Sequence, residues 1–124
     1  SNKTMVDIIK KAKNIIENKP EPLTAERAWL ETTYGRGQYK SLEKRIKAKQ
    51  DDISDIIKSN FGFGTINSRS YRCVVDIEDD LKNHTETIFE PFISGGFKVI
   101  NLSDSIKELK GEAVYLISWK DVVF

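Results

Sequence analysis

Apolar residues recur at helical spacing through the first half of the chain and at every second position in parts of the second half. Val6, Ile8, Ile9, Ala12, Ile15 and Ile16 form one helical stripe, with Lys10, Lys11 and Lys13 off it. Thr4 is placed as its N-cap, and Pro20 and Pro22 stop it. Thr24 caps a short second helix through Ala25, Ala28, Trp29 and Leu30. Two glycines in three residues make Tyr34-Gly35-Arg36-Gly37-Gln38 a loop. The stripe Leu42, Ile46, Ile53, Ile56 and Ile57 predicts a long third helix over about 39–59, which Phe61-Gly62-Phe63-Gly64 ends.

The period then changes. Tyr71, Cys73, Val75 and Ile77 alternate with Arg72, Val74 and Asp76, the pattern of a strand with one buried face. Asp79 or Asp80 is expected to cap a helix over 80–94, whose buried face is Leu81, Ile88, Phe89, Phe92 and Ile93. Pro91 should kink that helix or begin a separate turn, and Gly95-Gly96 should end it. Strands follow at 97–102 and 113–119, with one helical turn expected at 106–109.

These elements predict an α+β fold. Three N-terminal helices precede a β-α-β-β unit built on a small three-stranded mixed sheet. In this reading the first two strands pair in parallel through a crossover, and helices cover both faces of the sheet. The length of 124 residues suits a single domain, 1–124, with a helical part over 3–60 and the β-α-β-β part over 61–124.

Charge adds a second division. The formal net charge is +1, but residues 1–50 hold 12 Lys and Arg against 6 Asp and Glu, a net of +6. Residues 51–124 hold 8 against 13, a net of −5. Such asymmetry points to a basic surface that meets an anion, or to self-association between unlike halves. The third helix carries Lys44, Arg45, Lys47 and Lys49 in its first half and Asp51, Asp52 and Asp55 in its second. The helix dipole favours the reverse order, so packing partners or function must account for this one.

The candidate binding residues are therefore Trp29, Tyr34, Arg36, Tyr39, Lys40, Lys44, Arg45, Lys47 and Lys49. Cations with interleaved aromatics suit an acidic protein surface or a nucleic acid. No helix-turn-helix, zinc or phosphate-loop pattern accompanies them. The carboxylates Asp76, Glu78, Asp79, Asp80, Glu86 and Glu90 fit no calcium loop, and helix capping accounts for acids at that place.

Other chemistry is sparse. One cysteine, Cys73, excludes an internal disulfide, lies in the alternating apolar run and suits a reducing compartment. One histidine, His84, cannot make a histidine-based metal site alone. No catalytic set, metal set or cofactor is expected, and no apolar stretch has the length of a membrane span.

From Leu42 to Trp119 the order of elements resembles a module found in small tailed-bacteriophage proteins. The residues that carry the resemblance are the strand Tyr71–Ile77, the segment Gly96-Phe97-Lys98-Val99 and the closing Tyr115-Leu116-Ile117-Ser118-Trp119. The chain departs from that pattern in its Phe-Gly-Phe-Gly segment and in the helices before Tyr39. The resemblance implies a non-enzymatic phage-like protein, a virion component or an inhibitor of a host factor. It would act in the cytoplasm of an infected bacterium or in the virion. A protein partner, with self-association as a homo-oligomer, is the first expectation. Nucleic-acid binding through 34–49 and small-ligand binding stand as alternatives.

Overall fold

The computed structural model describes residues 5–10, 22–61, 70–109 and 112–124. The chain divides into two compact units, Ser1–Tyr39 and Lys40–Phe124. The boundary falls before the long third helix, which therefore belongs with the sheet rather than with the helices that precede it.

In the first unit residues 5–10 are helical (α1) and exposed. The expected cap Thr4, the later stripe residues Ala12, Ile15 and Ile16, and the stop at Pro20 lie outside the described residues. Helix α2 spans Ala25–Tyr34. Thr24 caps it as expected: its Oγ1 accepts from the Arg27 backbone N–H at 3.1 Å. Leu30 is the buried residue of α2, while Trp29 remains exposed. The helix ends at Gly35, whose φ of 109° is open to glycine and strained for other residues.

The second unit begins with helix α3, Leu42–Lys58. It starts later than its stripe suggested because Ser41 acts as N-cap and accepts from the Lys44 N–H at 3.4 Å. Strand β1 is Arg72–Asp76, and a turn and a short 3-10 segment, Lys82–His84, lead into α4, Thr85–Ser94. Neither Asp79 nor Asp80 caps α4. The residue before α4 is His84, which makes no side-chain cap bond. Leu81 is buried in the core at the turn, so the chain must first seat this side chain before the helix can start.

Helix α4 runs on through Pro91 to Ser94. It closes in a Schellman motif: Phe97 N–H donates to Phe92 O at 2.9 Å and Gly96 N–H to Ile93 O at 3.0 Å. Gly96 supplies the positive φ of 97°. The rings of Phe92 and Phe97 meet edge to face at 6.0 Å, the apolar contact that accompanies this cap. Strand β2, Lys98–Asn101, follows at once, and β3 is Val114–Ser118.

The sheet order is β1-β3-β2, and both ladders are antiparallel. The expected mixed sheet is corrected accordingly. β1 and β2 run the same way, as a crossover requires, but β3 lies between them. The residues give the reason. β3 is the most apolar strand and none of its five residues is exposed, which suits the central position. Arg72, Asp76 and Lys98 sit on the two outer strands, where charge is tolerated and blocks further pairing.

One core serves the second unit. Ile53 and Ile57 of α3 and Ile88, Phe89 and Phe92 of α4 pack with Val75, Ile77 and Ile117 of the sheet segment. In register, Cys73 faces Ile117 and Val75 faces Tyr115, so these side chains share one face of the sheet. Both helices thus cover the same face, against the expectation that they would lie on opposite faces. The other face carries Arg72, Val74, Asp76, Lys98, Ile100, Val114, Leu116 and Ser118; Val114 is buried there, and the exposed Arg72, Val74, Asp76, Lys98 and Ile100 stand in water.

Candidate functional site

The nine sequence-predicted residues fall into both units. Trp29, Tyr34, Arg36 and Tyr39 belong to the first, and Lys40, Lys44, Arg45, Lys47 and Lys49 to the second.

In the first unit Glu31 organises the loop that follows α2. Its backbone O accepts from Gly35 N–H at 2.9 Å, and its Oε1 accepts from Gly37 N–H at 3.1 Å. Its Oε2 lies 3.6 Å from Arg27 Nε. Gly37 also has a positive φ, 84°, so Arg36 is held between two left-handed glycines on a tethered backbone. The Arg27 guanidinium sits 5.6 Å from the centre of the Tyr39 ring, a cation–π distance. Trp29 and Tyr34 meet edge to face, 6.1 Å apart and at 80°. Trp29 remains 44% exposed and Tyr34 48%. Arg36, Tyr39 and the backbone around them are also exposed.

In the second unit the cations of α3 have different fates. Arg45 turns inward: its Nη1 lies 3.0 Å from Asp80 Oδ2, and both side chains are more than nine-tenths buried. Its Nε also donates to the Lys40 carbonyl at 3.0 Å. Lys49 is buried, with Nζ 3.0 Å from Glu78 Oε1 and 3.5 Å from Asp52 Oδ2. Lys47 pairs with Asp51 at the surface, 2.9 Å away. Lys40 and Lys44 are exposed. The charge order of α3 thus has packing partners. Two of its cations are met by acids of the turn after β1, the turn whose carboxylates the sequence assigned to helix capping.

Several residues of consequence were not singled out by the sequence. Glu31 had one local signal, its position four residues after Arg27 and just ahead of the two glycines. Lys49 occupies a gap in the α3 stripe between Ile46 and Ile53, a place where an apolar residue would keep the period. Gln50 had no signal. Its Nε2 donates to the carbonyls of Thr87 at 3.1 Å and Ile88 at 3.4 Å. Thr87 is four residues before Pro91, which has no N–H to give it, so Gln50 supplies the donor that the proline removes.

Cys73 is half-buried on the core side of β1, and burial pushes its thiol pKa up. That is the opposite of what activates a nucleophile. Among the described residues no group of three His, Cys, Asp or Glu side chains comes together as a metal site, and no helix is long and apolar enough to cross a membrane.

No protein-family model, curated protein or solved structure matches this chain.

Proposed function

We propose that this chain is a non-enzymatic binding protein that acts through protein–protein contacts, with the loop after α2 as a contact face. The observation that carries the reading is the Trp29–Tyr34 pair, two large aromatics packed edge to face yet about half exposed. Arg36 follows two residues after Tyr34, on a loop whose backbone is tied to Glu31. Trp, Tyr and Arg are the residue types that dominate interface energetics. A tethered loop also loses little conformational freedom when it docks. The resemblance to small phage proteins supports a virion partner, a host factor or a second copy of the chain as the protein contacted.

The test pairs Arg36→Glu with Tyr34→Ala. Both side chains are exposed, so the variant should melt within a few degrees of the parent and lose its partner in affinity capture, or its self-association in light scattering. Retained association with an unchanged melting temperature would refute this contact face.

Nucleic-acid binding ranks second. Arg45 and Lys49 are already met by Asp80 and Glu78, which leaves the start of α3 less cationic than its sequence suggests. Affinity for an oligonucleotide that falls steeply with added salt would reverse this ranking.

A further inference from the structure

We propose that the open face of the sheet in the second unit is a docking surface for an acidic amphipathic helix of a partner protein. This surface is built from residues of the second unit and does not depend on the reading given for the aromatic loop.

The register builds the surface in rows. Val74, Leu116 and Ile100 stand side by side across the three strands. Val74 is 54% exposed and Ile100 41%, so the row is an apolar strip in water. Two residues further along, Arg72, Ser118 and Lys98 form a parallel row with a cation at each end. A shallow groove runs over the cationic row and the Leu116 and Ile100 end of the apolar row, and Tyr71 and Lys120 also line it. Three cations, Arg72, Lys98 and Lys120, border the groove against one carboxylate, Asp121. On the far side of the apolar row lies Asp76, paired across to Val114. The face is therefore polarised: cations on one flank of the apolar strip, an acid on the other.

This pattern selects its occupant. Strands lie about 4.8 Å apart, so the apolar row spans about 10 Å. Residues i and i+7 of a helix are also about 10 Å apart at a rise of about 1.5 Å per residue. A helix lying across the strands can set apolar residues i, i+3 or i+4, and i+7 on Val74, Leu116 and Ile100. Carboxylates on one flank of that helix would then reach Arg72 and Lys98, and Asp76 disfavours the reversed placement. The strip is aliphatic rather than aromatic, which suits side-chain packing and gives bases little to stack on.

The test uses three probes on the intact chain: a helical peptide with leucines at i, i+3 and i+7 and glutamates along one flank, the same peptide with lysines for glutamates, and an oligothymidylate. Binding is followed by amide chemical shifts. The glutamate peptide should saturate, with shifts at Val74, Ile100, Leu116 and Lys98, and the lysine peptide should bind at least about tenfold more weakly. Lys98→Glu combined with Arg72→Glu should invert that preference. Inversion requires a folded sheet, so it separates lost recognition from lost folding. No saturation by the glutamate peptide, shifts confined to other residues, or oligothymidylate binding this face more tightly than the peptide would each overturn the proposal.

Discussion

Arg45 and Asp80 lie 35 positions apart in the chain, yet their side chains meet at 3.0 Å with both more than nine-tenths buried. The pair joins α3 to the turn that follows β1, and so fixes where the helix sits along the strand. Removing one partner takes a buried counter-charge from the other, a loss of about 3 kcal/mol. Asp80→Ala and Arg45→Ala should each lower stability by an amount of that order in urea denaturation. The double variant should lose much less than the sum of the two. A simple sum would show that the pair contributes nothing as a pair.

Lys49 is the complementary case. It fills an apolar position of the α3 stripe and reaches Glu78 and Asp52, both of which remain about half exposed. Its partners keep their water, so replacing the lysine by an apolar chain of similar length orphans no buried charge. Lys49→Met should change stability by less than about 1 kcal/mol, in either direction. Lys49→Ala should be clearly worse, since it also empties part of the contact. Equal losses for Met and Ala would mean that the charge itself holds the site.

Gln50 and Pro91 form a second long-range dependence. The Gln50 amide donates to the Thr87 carbonyl that Pro91 leaves without its helical donor. Gln50→Ala should cost about 1 kcal/mol, the usual net worth of a hydrogen bond. In a Pro91→Ala background the helix regains its own donor, and the same substitution should cost measurably less. A double-mutant cycle with no coupling would separate the two residues.

The raised thiol pKa of Cys73 has a signed consequence. The folded thiol holds its proton more tightly than the unfolded one, so ionisation favours the unfolded chain. The contribution is fully present below the ordinary thiol value of about 8.5 and is lost as pH rises above it. Denaturation at pH 7 and at pH 9.5 should show a fall in stability that is smaller in Cys73→Ala. Alkylation of the native protein should also be slower than that of the urea-unfolded chain. Equal rates in the two states would remove the claim that burial protects the thiol.

Local signals carried much of the fold. The alternation from Tyr71 to Ile77 marked Val75 and Ile77 as core residues, and both are buried. The Gly95-Gly96 stop appears as a Schellman cap, and Thr24 caps α2 as its residue type suggested. The apolar stripe of α3 was also legible, apart from the place taken by Lys49. What failed was the inference from faces to neighbours. A parallel β1–β2 pairing and helices on opposite faces are consistent with the same alternation, because period-two patterning says that a face is buried but not which element buries it. Of the candidate site, the exposed aromatics and Arg36 were readable from residue type and the Gly-Arg-Gly break. The inward turn of Arg45 and Lys49 was not, since their acids are 35 and 29 residues away.

The sequence by itself determined the helices and strands of the described residues, the α+β class, the Thr24 cap and the division of charge along the chain, because each depends on residues within a turn or two of one another. Only the tertiary structure decided that β3 enters between β1 and β2, that α3 and α4 share one face, and that the cations of α3 meet the acids of the turn after β1. Each of these is a choice among distant surfaces of similar local chemistry. It is settled by which arrangement buries apolar area while giving buried polar groups partners.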